Sequence, residues 1–155
     1  YLQIVGDTLP SYKKYYLSLK SKIINYSLKN NINFLGFKSD IKSILENSNF
    51  LIHTPVIPDP LPTVIFEGLE SGTPVISTNI GGNREILNEG ENGLLINHHN
   101  LNRSVDFVLN YVDNKDLQTY HKKNAINYLE KKFNYNNFKF SILSLVKENL
   151  NFNKE

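Results

Sequence analysis

The sequence predicts an α/β fold, a parallel β-sheet with helices on both of its faces. Short apolar runs alternate with longer segments of helical periodicity along most of the chain, as expected for consecutive βα units. The apolar runs are nearly continuous, which is typical of strands that are buried on both faces. With 155 residues, a single domain with a sizeable core is expected.

The elements follow from the apolar patterns taken in chain order. Five short apolar runs are predicted as strands: Leu2–Val5, Ile32–Leu35, Phe50–Thr54, Pro74–Thr78 and Gly93–Ile96. Seven segments are predicted as helices: Ser11–Lys29, a short one capped by Ser39, one that opens at Leu61-Pro62-Thr63, Asn83–Asn88, Leu101–Val112, Lys115–Phe133 and Tyr135–Leu150. Pro62 is predicted in the first turn of its helix, where a missing N–H is tolerated. Residues 151–155 are predicted to be a frayed tail.

The first helix carries apolar residues on one side and lysines on the other. The apolar set is Tyr12, Tyr15, Tyr16, Leu19 and Ile23. We expect this set to pack on the sheet and the lysines to remain in water. Contact of the helix with an anionic membrane surface is the alternative.

Composition excludes several classes of function. The formal net charge of +2 is too small to indicate a nucleic-acid partner. The chain has no cysteine, which excludes disulfides, cysteine-based zinc clusters and thiol nucleophiles. No apolar run approaches the ~20 residues that span a bilayer. The chain also has no methionine and begins directly in a predicted strand, so it is expected to be a fragment of a longer protein.

The segment from Asp59 to Glu67 has the chemistry of a phosphate and sugar site. A helix start offers free N–H groups and a positive dipole end, and Thr63 and Val64 would supply such groups. Glu67 follows Thr63 by one turn, about 5–6 Å further along the same face, where a carboxylate can accept hydrogen bonds from a ribose diol. Asp59 lies on the other side of the phosphates, where a carboxylate would orient hydroxyls of the transferred sugar.

Simpler interpretations of these residues stay open at this point. An aspartate before a proline is a common turn former, and Glu67 could be a solvated helix residue. The pair Gly81-Gly82 marks a positive φ angle or tight packing, or it permits close approach of a ligand. His53 ends a strand on the side of the site, where a hydrogen-bonded structural role is expected ahead of ligand contact. His98 and His99 are expected to be surface residues and not metal ligands.

The ordered motifs around this segment resemble family 4 glycosyltransferases. That family carries two acidic residues separated by seven positions, and Asp59 and Glu67 match this spacing. The resemblance covers about residues 2–133, and its motifs are Ile4-Val5-Gly6-Asp7, Asn33-Phe34-Leu35-Gly36-Phe37, Asp-Pro-Leu-Pro-Thr-Val before Glu67, Glu-Ser-Gly-Thr-Pro-Val-Ile-Ser-Thr from Glu70, Gly-Gly-Asn-Arg-Glu from Gly81, and Glu91-Asn92-Gly93-Leu94-Leu95-Ile96.

The resemblance implies the C-terminal, donor-binding half of a GT-B fold, a Rossmann-like domain at residues 1–133. Residues 134–150 would be a helix that crosses back toward an N-terminal domain. It implies transfer of a hexose from a nucleotide-diphosphate sugar with retention of configuration and without a metal ion or other cofactor. Asp59 would contact the donor sugar as the catalytic carboxylate. Binding of the donor nucleotide-sugar would involve Glu67, Leu61, Pro62, Thr63, Val64 and the base-side loop Gly36, Phe37 and Lys38.

Two departures from the family pattern carry consequences. Asp59 is one methylene shorter than the usual glutamate, which affects its reach to the sugar. The family's arginine and lysine that neutralise the diphosphate, and the central strand before them, would lie upstream of Tyr1. The chain alone is therefore expected to lack its first, central strand and to be inactive in transfer.

The resemblance also suggests a biological setting. Enzymes of this kind commonly build bacterial capsule, other surface polysaccharide or lipopolysaccharide, with a saccharide or lipid-linked acceptor held by the N-terminal domain. A cytoplasmic location is expected, with peripheral contact of the full-length enzyme at the inner face of the membrane. Two other functions stay open, a GT-B nucleotide-sugar epimerase and a non-catalytic nucleotide-sugar-binding module.

Overall fold

The computed structural model describes the backbone of residues 1–152 and the side chains up to Asn149. The chain divides into two compact units, residues 1–41 and 42–155. The α/β class is confirmed, since both units contain parallel strands with helices packed against them. The strands form two separate sheets, β1-β2 in the first unit and β3-β4-β5 in the second. The missing central strand and the predicted boundary after residue 133 stay predictions.

The first unit contains a pair of parallel strands and one helix. Strand β1 is Leu2–Val5 and strand β2 is Ile32–Gly36, with Leu2 opposite Ile32. Between them a 3₁₀ turn at Pro10–Tyr12 leads into helix α1, Lys13–Asn25.

The prediction that all the tyrosines of the first helix pack on the sheet is wrong. Tyr16 does so, with its ring edge-on to Phe34 at a centroid distance of 5.1 Å. Tyr12 and Tyr15 are 60% and 62% exposed. The reason is that Pro10 begins a separate turn, so Tyr12 precedes the helix, and a sheet of two strands is too narrow to cover Tyr15 as well. Strand β1 also stays largely exposed, contrary to the prediction of burial on both faces.

The second unit contains a three-stranded parallel sheet and most of the helices. Its strands are β3, Leu51–His53, β4, Val75–Thr78, and β5, Leu94–Ile96. Its helices are α2, Ile41–Glu46, which begins at the last residue of the first unit, α3, Thr63–Glu70, α4, Asn83–Ile86, α5, Leu101–Asp113, α6, Lys115–Lys132, and α7, Tyr135–Phe152. Helix α7 continues through Asn151 and Phe152, where a frayed tail was predicted, and residues 153–155 of that tail lie outside the described residues.

The core of the second unit is centred on β4. All four residues of this strand are buried, and Val75 and Ile76 have no exposed surface although neighbouring side chains point to opposite faces. Burial of β4 on both faces is therefore confirmed. Buried side chains of α3, α4 and α6 complete this core: Ile65, Leu69, Ile86 and Ala125, with Leu87 just after α4. The core thus fixes α3, which carries the predicted site, against the central strand.

Helix α3 ends as the sequence predicts. Gly72 has a φ angle of +67° and follows the C-cap residue Ser71. The N–H of Gly72 donates to the carbonyl of Leu69, and the N–H of Thr73 donates to the carbonyl of Gly68. This pair of bonds is the Schellman motif, in which glycine adopts the left-handed conformation without the penalty of a Cβ atom.

Candidate functional site

Helix α3 begins with two N–H groups that have no hydrogen-bond partner among the described residues, those of Thr63 and Val64. The prediction that Pro62 lies in the first turn is wrong. Pro62 is instead the N-cap residue, in an extended conformation just before the helix. Its carbonyl accepts from the N–H of Ile65 at 3.1 Å. The free N–H groups point along the helix axis toward the positive end of its dipole, which is the arrangement that binds phosphate.

Asp59 precedes this helix start in an exposed turn. Its Oδ1 atom accepts a hydrogen bond from the N–H of Leu61 at 2.9 Å. Leu61 was predicted to bind the donor nucleotide-sugar, but its N–H is already used within the turn. Pro62, predicted for the same role, has no N–H. Asp59 as a whole is exposed.

Glu67 and Thr63 are both exposed on α3. The opposite side of the helix is buried and includes Ile65, Gly68 and Leu69. Gly68 lies so close to β3 that a Cβ atom there would come within 2.6 Å of Leu51 Cδ2. This close packing holds the face that carries Thr63 and Glu67 away from the core, with both side chains open to a ligand.

The glycine pair after β4 packs against the backbone of the Asp59 turn. The N–H of Gly82 donates to the carbonyl of Asp59 at 2.8 Å. A Cβ atom on Gly81 would lie 2.5 Å from the same carbonyl oxygen, and one on Gly82 would overlap the carbonyl of Pro60. Of the interpretations that the sequence left open, tight packing applies to both glycines, and positive φ also applies to Gly81 at +56°.

Three buried polar residues near the turn were missed by the sequence analysis. The Ser77 hydroxyl donates to the carbonyl of His53 at 2.9 Å, and the Thr78 hydroxyl donates to the carbonyl of Pro55 at 2.8 Å. The side-chain amide of Asn83 donates to Ser77 Oγ and to the carbonyl of Thr78. The only available signal was the two hydroxyl residues at the end of an otherwise apolar strand.

His53 differs from its predicted role in one respect. Its backbone carbonyl is hydrogen-bonded, but its ring Nε2 is buried without a hydrogen-bond partner among the described residues. Burial lowers the pKa of His53, and the negative charge of Asp59 opposes this effect. The imidazole therefore lies within the electrostatic influence of Asp59, and its Nε2 has no partner among the described residues.

The predicted base-side loop belongs to the first unit. Gly36 ends β2 with a φ angle of +66°, and Phe37 and Lys38 that follow are exposed. Their contact with a nucleotide base stays a prediction.

Neither a metal-binding cluster nor a membrane-spanning helix is found in the part of the chain that the structure describes. No group of three or more histidine, cysteine, aspartate or glutamate residues is arranged to hold a metal ion there. The rings of His98 and His99 contact each other at a centroid distance of 3.8 Å. None of the described helices has the length and apolar character needed to cross a bilayer.

Comparison with known proteins identifies the class. The profile of the family glycosyl transferases group 1 matches residues 1–128, and the chain belongs to this family. An uncharacterized glycosyltransferase of Methanocaldococcus jannaschii, MJ1178, is 35% identical over 105 residues, which are 64% of this chain and 30% of that protein. The UDP-Gal:alpha-D-GlcNAc-diphosphoundecaprenol alpha-1,3-galactosyltransferase of Escherichia coli is 29% identical over 70% of this chain and 27% of its own length.

The solved structures agree in fold. Anabaena Alr3699/HepE in complex with UDP-glucose superimposes with a TM-score of 0.83 and 25% identity, covering 94% of this chain and 40% of that protein. The chain has the fold of the C-terminal half of a GT-B glycosyltransferase. It spans less than a third of the length of the two relatives named above.

Proposed function

We propose that this chain is the donor-binding part of a retaining family 4 hexosyltransferase, which transfers a sugar from a nucleotide-diphosphate sugar to an acceptor. The observation that carries the proposal is the start of α3, where two free N–H groups, those of Thr63 and Val64, fall in the chain between the exposed residues Asp59 and Glu67. Two similar proteins support the proposal. The structure of Anabaena HepE contains UDP-glucose, and the E. coli relative is named for a UDP-galactose donor.

Each group of the site has a role in this proposal. The N–H groups of Thr63 and Val64 bind the distal phosphate, and Glu67 accepts hydrogen bonds from the ribose hydroxyls. Asp59 contacts the transferred sugar and favours the positive charge that develops at its ring. The departing phosphate helps to deprotonate the acceptor, and no metal ion or other cofactor is required. The chain alone is proposed to be inactive in transfer.

The proposed pathway is bacterial surface polysaccharide or lipopolysaccharide synthesis. The E. coli relative uses a diphosphoundecaprenol-linked acceptor, as its name states. For this chain we propose a saccharide or lipid-linked acceptor, bound by an N-terminal domain of the full-length enzyme. We also propose that the enzyme works in the cytoplasm with peripheral contact at the membrane.

The test is calorimetric titration of the full-length native protein with UDP, GDP and ADP and with their glucose conjugates. Glu67→Ala removes a charge-assisted hydrogen bond worth roughly 1.5–3 kcal/mol, so the affinity for the preferred nucleotide should fall at least several-fold. Glu70→Ala is the matched control, because Glu70 is also an exposed glutamate on α3. If Glu67→Ala and Glu70→Ala bind the nucleotide with equal affinity, Glu67 does not bind the ribose.

A further inference from the structure

The segment between β3 and α3, residues 54–62, cannot hold its own conformation by backbone N–H bonds. Four of its nine residues are prolines, at positions 55, 58, 60 and 62, and these lack an N–H donor. The N–H of Leu61 is used by the side chain of Asp59. What the segment offers to its surroundings is mainly carbonyl oxygens, so its path depends on donors from elsewhere.

Those donors come from the end of β4 and the turn that follows it. The hydroxyl of Ser77 binds the carbonyl of His53, the hydroxyl of Thr78 binds the carbonyl of Pro55, and the N–H of Gly82 binds the carbonyl of Asp59. The donors 77, 78 and 82 follow the same order in the chain as their acceptors 53, 55 and 59, and the donor–acceptor distances are 2.8–2.9 Å. Ser77 thus holds His53, the residue just before segment 54–62, and Thr78 and Gly82 attach the segment itself at Pro55 and Asp59.

Asn83 connects this series of bonds to the core. Its side chain has no exposed surface, and its amide group donates to Ser77 Oγ at 2.8 Å and to the carbonyl of Thr78 at 2.9 Å. Ser77 and Thr78 are 0% and 2% exposed, so water does not compete for these bonds. The hydroxyl of Ser77 is oriented as a donor to His53 because it receives the amide hydrogen of Asn83.

We propose that Ser77, Thr78 and Asn83 are positioning residues that set the place of the Asp59 carboxylate for the donor sugar. This inference rests on the proposed function, and it deepens it by assigning sugar discrimination to residues that do not touch the donor. The nucleotide end of the site is held separately, because Thr63, Val64 and Glu67 belong to α3 and are fixed by packing on β3 and β4. Loss of a bond to segment 54–62 should weaken sugar binding and leave nucleotide binding intact.

The experiment compares one substitution at the two ends of β4 in the full-length native protein. Thr78→Val removes the bond to Pro55 at the end near Asp59. Thr73→Val removes a bond of the same kind, from a 4% exposed hydroxyl to the carbonyl of Leu45 at 2.7 Å, just before the other end of the strand. Both variants lose one buried hydroxyl–carbonyl bond, so similar losses of thermal stability are expected.

The decisive readout is the ratio of two dissociation constants, that for UDP-glucose over that for UDP. Thr78→Val should raise this ratio about fivefold or more with the UDP constant changed less than about twofold, whereas Thr73→Val should leave both constants unchanged. Ser77→Ala, which removes the bond to His53, should behave like Thr78→Val and replaces it if that variant does not fold.

The outcomes separate this inference from the proposed function. If the wild type binds both ligands and Thr78→Val and Ser77→Ala shift the ratio no more than Thr73→Val, the positioning role is wrong and donor binding stands. If the wild type binds neither the nucleotides nor their glucose conjugates, the proposed function fails and the positioning role fails with it.

Discussion

Glycines of the second unit are needed for different physical reasons at different positions. Gly72 has a positive φ angle of +67°, but a Cβ atom there would meet nothing within 4 Å. Gly82 has an ordinary φ angle of −73°, but its Cβ atom would overlap the carbonyl of Pro60. The first glycine is required by backbone conformation and the second by the closeness of the Asp59 turn.

This difference predicts distinct effects of alanine at the two positions. Gly72→Ala should lower the free energy of unfolding by about 1–2 kcal/mol through left-handed strain, with no change in nucleotide-sugar affinity. Gly82→Ala should cost about 1–3 kcal/mol through overpacking and should also weaken UDP-glucose binding, because it pushes the Asp59 turn away. Urea unfolding and calorimetry on both variants measure this. Unchanged UDP-glucose affinity in Gly82→Ala would contradict the proposed contact of Asp59 with the sugar.

Asp59 allows its charge to be tested separately from its turn. Asp59→Asn keeps an Oδ1 atom that can still accept from the N–H of Leu61, so the turn should survive. The loss of the carboxylate charge should lower kcat for sugar transfer about tenfold or more, which corresponds to ~1.4 kcal/mol, while UDP affinity changes little. Steady-state kinetics and UDP titration of the full-length protein measure both quantities. If Asp59→Asn kept the kcat of the wild type, the negative charge of Asp59 would have no role in sugar transfer.

At the residue scale, the sequence was sufficient to predict a helix start with free N–H groups, because this depends on a local pattern. The roles of Asp59 and Glu67 in donor binding stay predictions. The sequence was insufficient for Ser77, Thr78 and Asn83, which act through partners 5 to 24 positions away in the chain. Such partners are defined by the packing of β3 beside β4 and not by any local pattern. The sequence also left tight packing of Gly81 and Gly82 as one of several alternatives, because their neighbours Asp59 and Pro60 are distant in the chain.

At the scale of elements, α5 and α6 are joined by a buried polar cluster. The Tyr111 hydroxyl and His121 Nδ1 lie 2.9 Å apart, and the side-chain amide of Gln118 donates to the carbonyl of Tyr111. Burial raises the pKa of Tyr111 to about 12, so its hydroxyl stays protonated and can donate to the imidazole. Burial lowers the pKa of His121, and the nearby charge of Glu91 opposes this effect. The cluster is therefore complete when His121 is neutral.

The lowered pKa of His121 predicts a loss of stability in acid. In the unfolded chain a histidine has a pKa of about 6.5, so below that pH the unfolded state binds a proton that the folded state resists. The stabilisation is fully present above about pH 6.5 and is lost as the pH falls toward the lower folded value. His53 contributes with the same sign.

Urea unfolding at pH 7.5 and pH 5.0 tests this expectation. The free energy of unfolding should be lower at pH 5.0, and His121→Gln, which cannot titrate but can still accept from Tyr111, should show a smaller drop. Equal drops in the wild type and the variant would show that His121 does not contribute to the acid sensitivity.

The helices of the second unit were predicted closely because their ends have local signals. Asn100 and Asn114 cap α5 and α6 with their side chains, and Gly72 ends α3. The start of α1 was predicted two residues early, since Pro10 supports a 3₁₀ turn as readily as a first α-helical turn. The exposure of Tyr12 and Tyr15 could not be predicted, because it depends on how many strands form the sheet beneath the helix.

At the scale of the whole molecule, the two units differ in how much they bury. Among the described residues, those with buried side chains all belong to the second unit, from Leu45 onward. Strand β4 has a parallel neighbour on each side and is covered on both faces, whereas β1 pairs with β2 alone. The free energy that opposes local opening rises with such burial and with the number of paired edges.

The last prediction therefore concerns hydrogen exchange in the 155-residue chain itself. Backbone amides of β4 should exchange most slowly, near the rate set by global unfolding, and amides of β1 and β2 should exchange faster through opening of the first unit. Strands β1 and β4 make a matched comparison, because each contains four residues and each pairs in parallel with another strand of its own sheet. Exchange monitored by mass spectrometry over hours, with and without low urea, measures the two rates. If β1 is protected as strongly as β4 under both conditions, the two units open as one, and the burial of apolar surface does not determine which part of this chain is most stable.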